Sequence, residues 1–351
     1  MNRKAREYKA TICYNRKMSE FHPFAQYIQI IGKGPNLSRP LTEQEAQDAV
    51  TMILEGAIEP IQLGAFLCIL RLREEVPAEG VGFVRAMRAA NTLPQNPPTV
   101  DLDWPAYAGK KRQLPWFLLA ALLLAQNGIR ICMQGTESHT PDRVFAREAI
   151  QSLGLPIAES IDQACEQISK HNFSYLPLQT FLPRLQDIIE LKPVLGLRSP
   201  FNTFTRQANP FAAPYQLLTV AHPGYMDVHC AVAQQVGQPH MAVFKGEGGE
   251  AERRPYKPVI VKSLHDGALS EETWPSLLVE GTAEADPDMT LSRLGAVWQG
   301  NENNPYADAA ITGTAAIVLR LMNKADNPAH ALALAQELWA NRNRNTLLAD
   351  A

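Results

Sequence analysis

The chain has no CxxC, and its five cysteines (Cys13, Cys68, Cys132, Cys165 and Cys230) are scattered, with no histidine at metal-ligand spacing. That excludes a zinc finger or a disulfide framework and reads as reduced thiols in a cytoplasmic protein. Cys68 and Cys132 lie in apolar runs and read as core residues. The longest apolar run, Leu118 to Gln126, falls well short of the roughly 20 residues a membrane helix needs. Neither sign of charge dominates: 33 Lys and Arg against 36 Asp and Glu give a net charge of -3. No global basic field therefore attracts nucleic acid, and such a partner would need a local patch. No repeat, low-complexity tract, RNP, helix-turn-helix or zinc-finger pattern is present, so nothing supports base-specific readout. None of His139, His171, His222, His229, His240, His265 and His330 has a Ser or Cys partner at a telling spacing, so no catalytic residue is assigned.

At 351 residues, 46% apolar and 20% charged, the chain suits two packed units or one large α/β domain. Residues 1–22 read as a basic, disordered extension. Arg3, Lys4, Arg6, Lys9, Arg16 and Lys17 stand there against Glu7 and Glu20, without the apolar stretch of a signal peptide. The compact sequence begins at Met18 as an alternative start, and a phosphate-binding arm is the sharper reading of the same residues.

From Pro23 to about Ala90 the pattern is helical. Phe24, Tyr27, Ile28 and Ile31 recur at three and four residues, ending near Gly32 and Gly34. Thr42, three residues before Glu45, forms a capping box for a second helix with Ala49, Met52 and Ile53 inward. A third starts at Glu59-Pro60 and buries Leu63, Phe66, Leu67 and Leu70. A fourth starts near Pro77 and buries Val81, Val84 and Met87. Asn91 to Pro98 is the link to a second unit. Beyond it, strands are expected at Val100 to Leu102, Ile129 to Met133, Tyr175 to Leu178, Leu217 to Val220 and Met241 to Phe244. Helices are expected at Trp116 to Asn127, Arg143 to Leu153, Tyr225 to Val236, Ala307 to Met322 and Pro328 to Ala340. The fold class is thus α/β: a small N-terminal helical subdomain (23–92) and a larger, mostly parallel sheet domain flanked by helices (99–351). A segment near 180–205 is a candidate to pack with the helical subdomain.

The order of motifs resembles the anthranilate phosphoribosyltransferase family. Glu45 to Leu72 (EAQDAVTMILEGAIEPIQLGAFLCILRL) and Arg85-Ala86-Met87-Arg88 are similar to the family's opening helices. Leu195-Gly196-Leu197-Arg198-Ser199-Pro200-Phe201-Asn202, with Asn209-Pro210 after it, is similar to the family's LGxRTxFN…NP signature. The resemblance covers nearly all of Pro23 to Arg342 and implies the anthranilate phosphoribosyltransferase-like fold, also called glycosyltransferase family 3.

The matching residues depart from that pattern where the chemistry lies. The family's glycine-rich GTGGD turn for pyrophosphate corresponds to Tyr107-Ala108-Gly109-Lys110-Lys111-Arg112-Gln113, where one glycine is left. Its KHGNR segment corresponds to Met133-Gln134-Gly135-Thr136-Glu137. Its adjacent Asp-Glu pair for magnesium corresponds to Ala251-Glu252, with Glu247 and Glu250 as weak substitutes. Cations take over instead: Lys110, Lys111 and Arg112 in the turn, Lys245, Arg253 and Arg254 around the metal loop, and Lys192, Arg198 and Arg206 around the retained signature.

Together with Asp142-Arg143-Val144 and the Tyr107 to Gln113 stretch, this resembles the YbiB-type branch of the family. That resemblance implies a homodimer, formed through the N-terminal helices, that binds DNA or RNA without sequence preference. Lys110, Lys111, Arg112, Lys192, Arg198, Arg206, Lys245, Arg253 and Arg254 are the expected phosphate contacts in a basic interdomain groove. No membrane partner and no cofactor is expected. The alternative is a phosphoribosyl- or glycosyltransferase with a changed substrate, which would need magnesium on Glu247, Glu250 and Glu252. As a run by itself, Lys110 to Arg112 also reads as a solvated turn, and Arg253-Arg254 as surface partners of Glu250 and Glu252.

Overall fold

The computed structural model describes residues 21–137, 140–279 and 285–349, so nearly all of the basic extension lies outside the described residues. The helical subdomain holds α1 (Ala25–Gly32), α2 (Glu43–Leu54), α3 (Pro60–Arg73) and α4 (Pro77–Ala90). The Thr42–Glu45 capping box is formed in full and satisfies backbone donors at the start of α2. Pro60 and Pro77 open α3 and α4 at the position where a missing N–H costs nothing. Gly82 of α4 lets the helix lie directly on α2: a Cβ there would come within 2.5 Å of Ala46 Cβ and of the Glu43 carbonyl.

The larger unit is a seven-stranded sheet in the order β3-β2-β1-β4-β5-β6-β7. Its strands are β1 (Leu102–Ala106), β2 (Ile131–Gly135), β3 (Phe173–Pro177), β4 (Tyr215–Val220), β5 (His240–Lys245), β6 (Val259–His265) and β7 (Ala268–Trp274). The first five pair in parallel, and the last two add an antiparallel hairpin. Its two-residue turn is Asp266-Gly267, both at positive φ, as the twist of a hairpin demands.

Between the strands run α5 (Phe117–Gln126), α6 (Ala146–Ser152), α7 (Ile161–His171), α8 (Leu178–Phe181), α9 (Pro183–Ile189), α10 (Lys192–Leu195), α11 (Phe201–Phe204) and α12 (Tyr225–Gln235). Then come α13 (Ser292–Gln299), α14 (Pro305–Leu321) and α15 (Pro328–Asn341). Helix α5 is apolar on every side and buried from Phe117 to Ala125, packed against α14 in the main core with Trp104, Met133, Leu217 and Phe244 of the sheet. A second core joins the helical subdomain to the 178–213 segment and to Cys132 and Leu176 on the opposite sheet face.

Several elements differ from the sequence expectation. Strand β1 begins at Leu102, not Val100, because Asp101 turns to cap Arg130 with both carboxylate oxygens. Helix α6 begins at Ala146, not Arg143: the Val144 N–H and C=O both bond to Lys110 at 2.8 Å, which holds that stretch extended. The hairpin β6–β7 and helices α7, α8, α9, α10, α11 and α13 have no counterpart in the sequence expectation.

On the face of β1 opposite Trp104 sits a buried polar group. Asp103 Oδ2 accepts from Gln216 Nε2 at 2.7 Å and Gln134 Nε2 at 3.4 Å, and Gln134 Oε1 accepts from the Tyr107 hydroxyl. Burial pushes the Asp103 carboxyl up to about 7, with the two amides and Arg88 acting weakly the other way.

Two outcomes follow. Gly82→Ala should lower stability by about 1–3 kcal/mol by prising α4 from α2, read as a reduced urea midpoint. For Asp103 the folded chain keeps a proton that the unfolded chain releases above its ordinary value of 3.8. Its contribution is therefore full below that value and lost as pH rises to about 7. Asp103→Asn should remove this slope. The wild-type-minus-variant unfolding free energy should fall by on the order of 4 kcal/mol across that window.

Candidate functional site

The C-terminal ends of the parallel strands meet the helical subdomain in a cleft, the usual place for a site in an open α/β sheet. Two loops form its base: residues 107–112 after β1 and residues 246–252 after β5.

The turn after β1 presents two successive backbone donors. Ala108 N and Gly109 N both donate to Glu250 Oε1, at 2.8 and 2.5 Å. Gly109 has φ +66°, and a Cβ there would press on Arg143 and Phe145 at 3.0 Å, so glycine is required. Next to it Lys110 turns inward. Its Nζ meets Glu252 Oε1 at 2.5 Å, while Glu252 Oε2 accepts from Phe117 N at 2.8 Å. Lys110, Glu250 and Glu252 are all buried. Burial raises the Glu250 and Glu252 carboxyls above their ordinary value; Arg206 and the two backbone donors act against it for Glu250, and Lys110 for Glu252.

Lys110 therefore does not reach the cleft surface and is corrected from a phosphate contact to the partner of Glu252. Arg253 is corrected likewise. It is buried, donates to the Pro275 carbonyl and lies 5.3 Å from the Trp274 ring centroid, and burial lowers it to about 10. Neither it nor Arg254 pairs with Glu250 or Glu252. Magnesium does not fit here. Both oxygens of Glu252 and one of Glu250 are already bonded, Ala251 has no donor, and Glu247 is held near the Tyr256 hydroxyl at 3.4 Å. Among the described residues no three His, Cys, Asp or Glu side chains are grouped to hold a metal ion.

Above this base, cations from five positions in the chain come near one another. Arg71 lies in the last turn of α3, Arg143 precedes α6, Lys192 opens α10, Arg198 precedes α11, and Arg206 follows it. Their proximity is felt electrostatically. Burial first, then Arg143 and Arg71, lowers the Arg198 pKa; burial, then Arg198 and Arg143, lowers that of Lys192. Arg206 is half-buried and donates to the Gly249 carbonyl at 3.0 Å and that of Thr219 at 3.3 Å. Arg143 donates to the carbonyls of Ala108, Gly109 and Gly248, bridging the two base loops. Lys192 Nζ donates to Thr140 Oγ1 at 3.1 Å.

Arg71, Arg198 and Arg206 line a cavity of about 130 Å³ with Ser199, Asn202, His222 and Tyr225. That is below the roughly 300–1,000 Å³ of sites that enclose a small molecule. Ser199 is 5% exposed and its Oγ has no hydrogen-bond partner in the cavity wall. Across the cleft, Tyr225 donates to Glu75 Oε2 at 2.9 Å, and Arg71 lies 3.5 Å from the same hydroxyl and 3.9 Å from Glu75.

The remaining expected residues are dispersed. Lys111 and Arg112 are exposed on the outer side of the turn, where the Arg112 carbonyl accepts from Asp286 N. Lys245 and Arg254 line a second cavity, beyond the 222–226 turn, together with Met226, Ile260 and Lys262. Arg71 was not anticipated, because a cation in the last turn of a helix has an ordinary local role. Only the tertiary placement of α3 brings it to the cleft.

Two family models match the chain: the glycosyl transferase family helical bundle domain over residues 25–90 and the glycosyl transferase family a/b domain over residues 117–342. An anthranilate phosphoribosyltransferase of Methylorubrum extorquens is 27% identical over 322 residues, 90% of this chain and 93% of that one. The uncharacterized protein YbiB of Escherichia coli is 28% identical over 208 residues, 58% of this chain and 64% of that one. The anthranilate phosphoribosyltransferase of Thermus thermophilus shares the fold with a TM-score of 0.78 at 22% identity, covering 93% of this chain and 97% of its own. That of Saccharomyces cerevisiae in complex with PRPP and Mg gives 0.74 at 17% identity, covering 90% and 93%. The chain belongs to the glycosyl transferase family, as a phosphoribosyltransferase-like protein.

Proposed function

We propose that this protein binds the phosphate backbone of nucleic acid without sequence preference, through the cation cluster above the closed turn, and does not carry out phosphoribosyl transfer. The observation that carries the reading is the convergence of Arg71, Arg198 and Arg206 on one open cleft, with the unpartnered Ser199 hydroxyl in its wall and Arg143 and Lys192 near enough to act on Arg198 or be acted on by it. Charges of one sign brought together from five segments repel one another, and an anion in the cleft relieves that repulsion. Phosphate oxygens suit such a site because guanidinium groups engage them in forked pairs and a hydroxyl adds a donor. Because the cleft is open and lined by few apolar groups, it favours a backbone over an enclosed substrate. Loss of transfer is supported by the groups that a PRPP and Mg complex would need: the backbone donors of Ala108 and Gly109 are turned onto Glu250, and the Glu252 carboxylate is taken by Lys110.

A homodimer belongs to the same proposal. Ile61 and Leu72 on α3 of the helical subdomain are exposed apolar side chains, as is Val194 on α10. Burying them against a second copy would place two clefts on one particle and raise avidity for a long strand.

Arg71→Ala with Arg198→Ala removes two surface cations and leaves the buried base intact. Binding of a labelled single-stranded oligonucleotide should weaken. The slope of log affinity against log salt should become shallower by about 1.4, two phosphate contacts' worth. An unchanged slope, or formation of phosphoribosyl anthranilate from anthranilate, phosphoribosyl pyrophosphate and magnesium, would sink the proposal.

A further inference from the structure

We infer that this chain supplies its own ligands at the base of the cleft: the Glu250 carboxylate fills an oxyanion site, and the Lys110 ammonium fills a divalent-cation site. Two consecutive N–H groups, at Ala108 and at Gly109 with its positive φ, aim at one point, which is the geometry of a backbone anion nest. The anion found there comes from a residue 141 positions away in sequence, on a different loop. Beside the nest, Glu252 is a buried carboxylate whose Oε1 faces a single ammonium. A carboxylate so placed is also a ligand for a hard cation. Lys110 directly follows Gly109, and its charge acts on both Glu250 and Glu252. An anion nest adjoining a carboxylate is the arrangement that a metal-bridged diphosphate requires, with the nest on the phosphate oxygens and the carboxylate on the metal.

The occupancy is imperfect in a telling way. Glu250 Oε2 is buried without a hydrogen-bond partner, so the tethered carboxylate meets only part of what surrounds it. Removing either side chain would leave donors or a carboxylate facing a vacancy that a free ion can enter. The consequence for the intact protein is that the two base loops are drawn together without any bound ligand. This inference concerns the base and not the cation cluster, so it and oligonucleotide binding fail or succeed separately.

The test follows thermal unfolding of the full chain with magnesium, inorganic pyrophosphate, both or neither, in an Arg198→Ala background that weakens the cluster's own affinity for anions. The parent should show no shift. Adding Glu250→Ala should give a rise of about 3 °C with pyrophosphate, and adding Lys110→Ala as well should give a larger rise that needs magnesium too. Glu250→Gln, which keeps an acceptor in the nest, should gain nothing. Folding of the Glu250→Ala chain only when pyrophosphate is present would also support the inference. It is overturned if the parent shifts as much as Glu250→Ala, if Glu250→Gln gains equally, or if Glu250→Ala folds without any gain. It is equally overturned if Glu250→Ala fails to fold with pyrophosphate while Glu250→Gln folds.

Discussion

Two carboxylates and one ammonium with almost no solvent access have to be reconciled at the base of this cleft, and much of the local architecture follows from how that is done. Lys110 and Glu252 are held at 2.5 Å with side chains 1% and 0% exposed. Taking such charges out of water is costly, and the pair is tolerated only because further donors complete it. Removing one member would strand the other, at about 3–5 kcal/mol. The pair is thus weak evidence of net stabilisation but a strict constraint on geometry. It fixes the turn after β1 against the loop after β5, and Arg143 and Arg206, which donate to carbonyls of those loops, are fixed with them.

Rigidity at the base has a consequence for the rim. Arg198 and Arg71 are positioned by a short element and a helix end, with one long contact between Arg71 and Glu75, and Lys192 opens α10 with its Nζ on Thr140. Like charges gathered on flexible loops would splay into water. Here α10 and α11 pack into the same core as the helical subdomain, and Tyr225 ties α12 to the α3–α4 junction. A preorganised cleft loses less conformational freedom on binding, which favours a backbone-tracking ligand even at modest contact area.

The architecture was largely legible because it is written in short-range pattern. The Thr42–Glu45 cap, the prolines at 60 and 77 and the apolar spacing of each helix all report local backbone preferences, and the parallel strands show as short apolar runs between helices. The hairpin was missed although Asp266-Gly267 is a standard two-residue turn signal, because β7 is largely exposed and carries charged residues on its face. The start of α6 was misplaced because Val144 pairs with Lys110, a contact that no propensity contains.

For the site, the sequence by itself determined that a single glycine, Gly109, stands in the turn, that Ala251 precedes Glu252, and that cations stand nearby, since those are facts of residue order. It could not say which cations face solvent. Lys110, Lys111 and Arg112 are neighbours in sequence, yet one is buried on a carboxylate and the others are exposed, because a turn sends adjacent side chains to opposite sides. Arg71 and Arg198 are 127 positions apart, yet line one cavity. Only the tertiary structure decides such pairings. Burial and charge compensation are properties of the space between segments, and residues distant in the chain supply the partners that make a buried charge tolerable or leave a surface charge open.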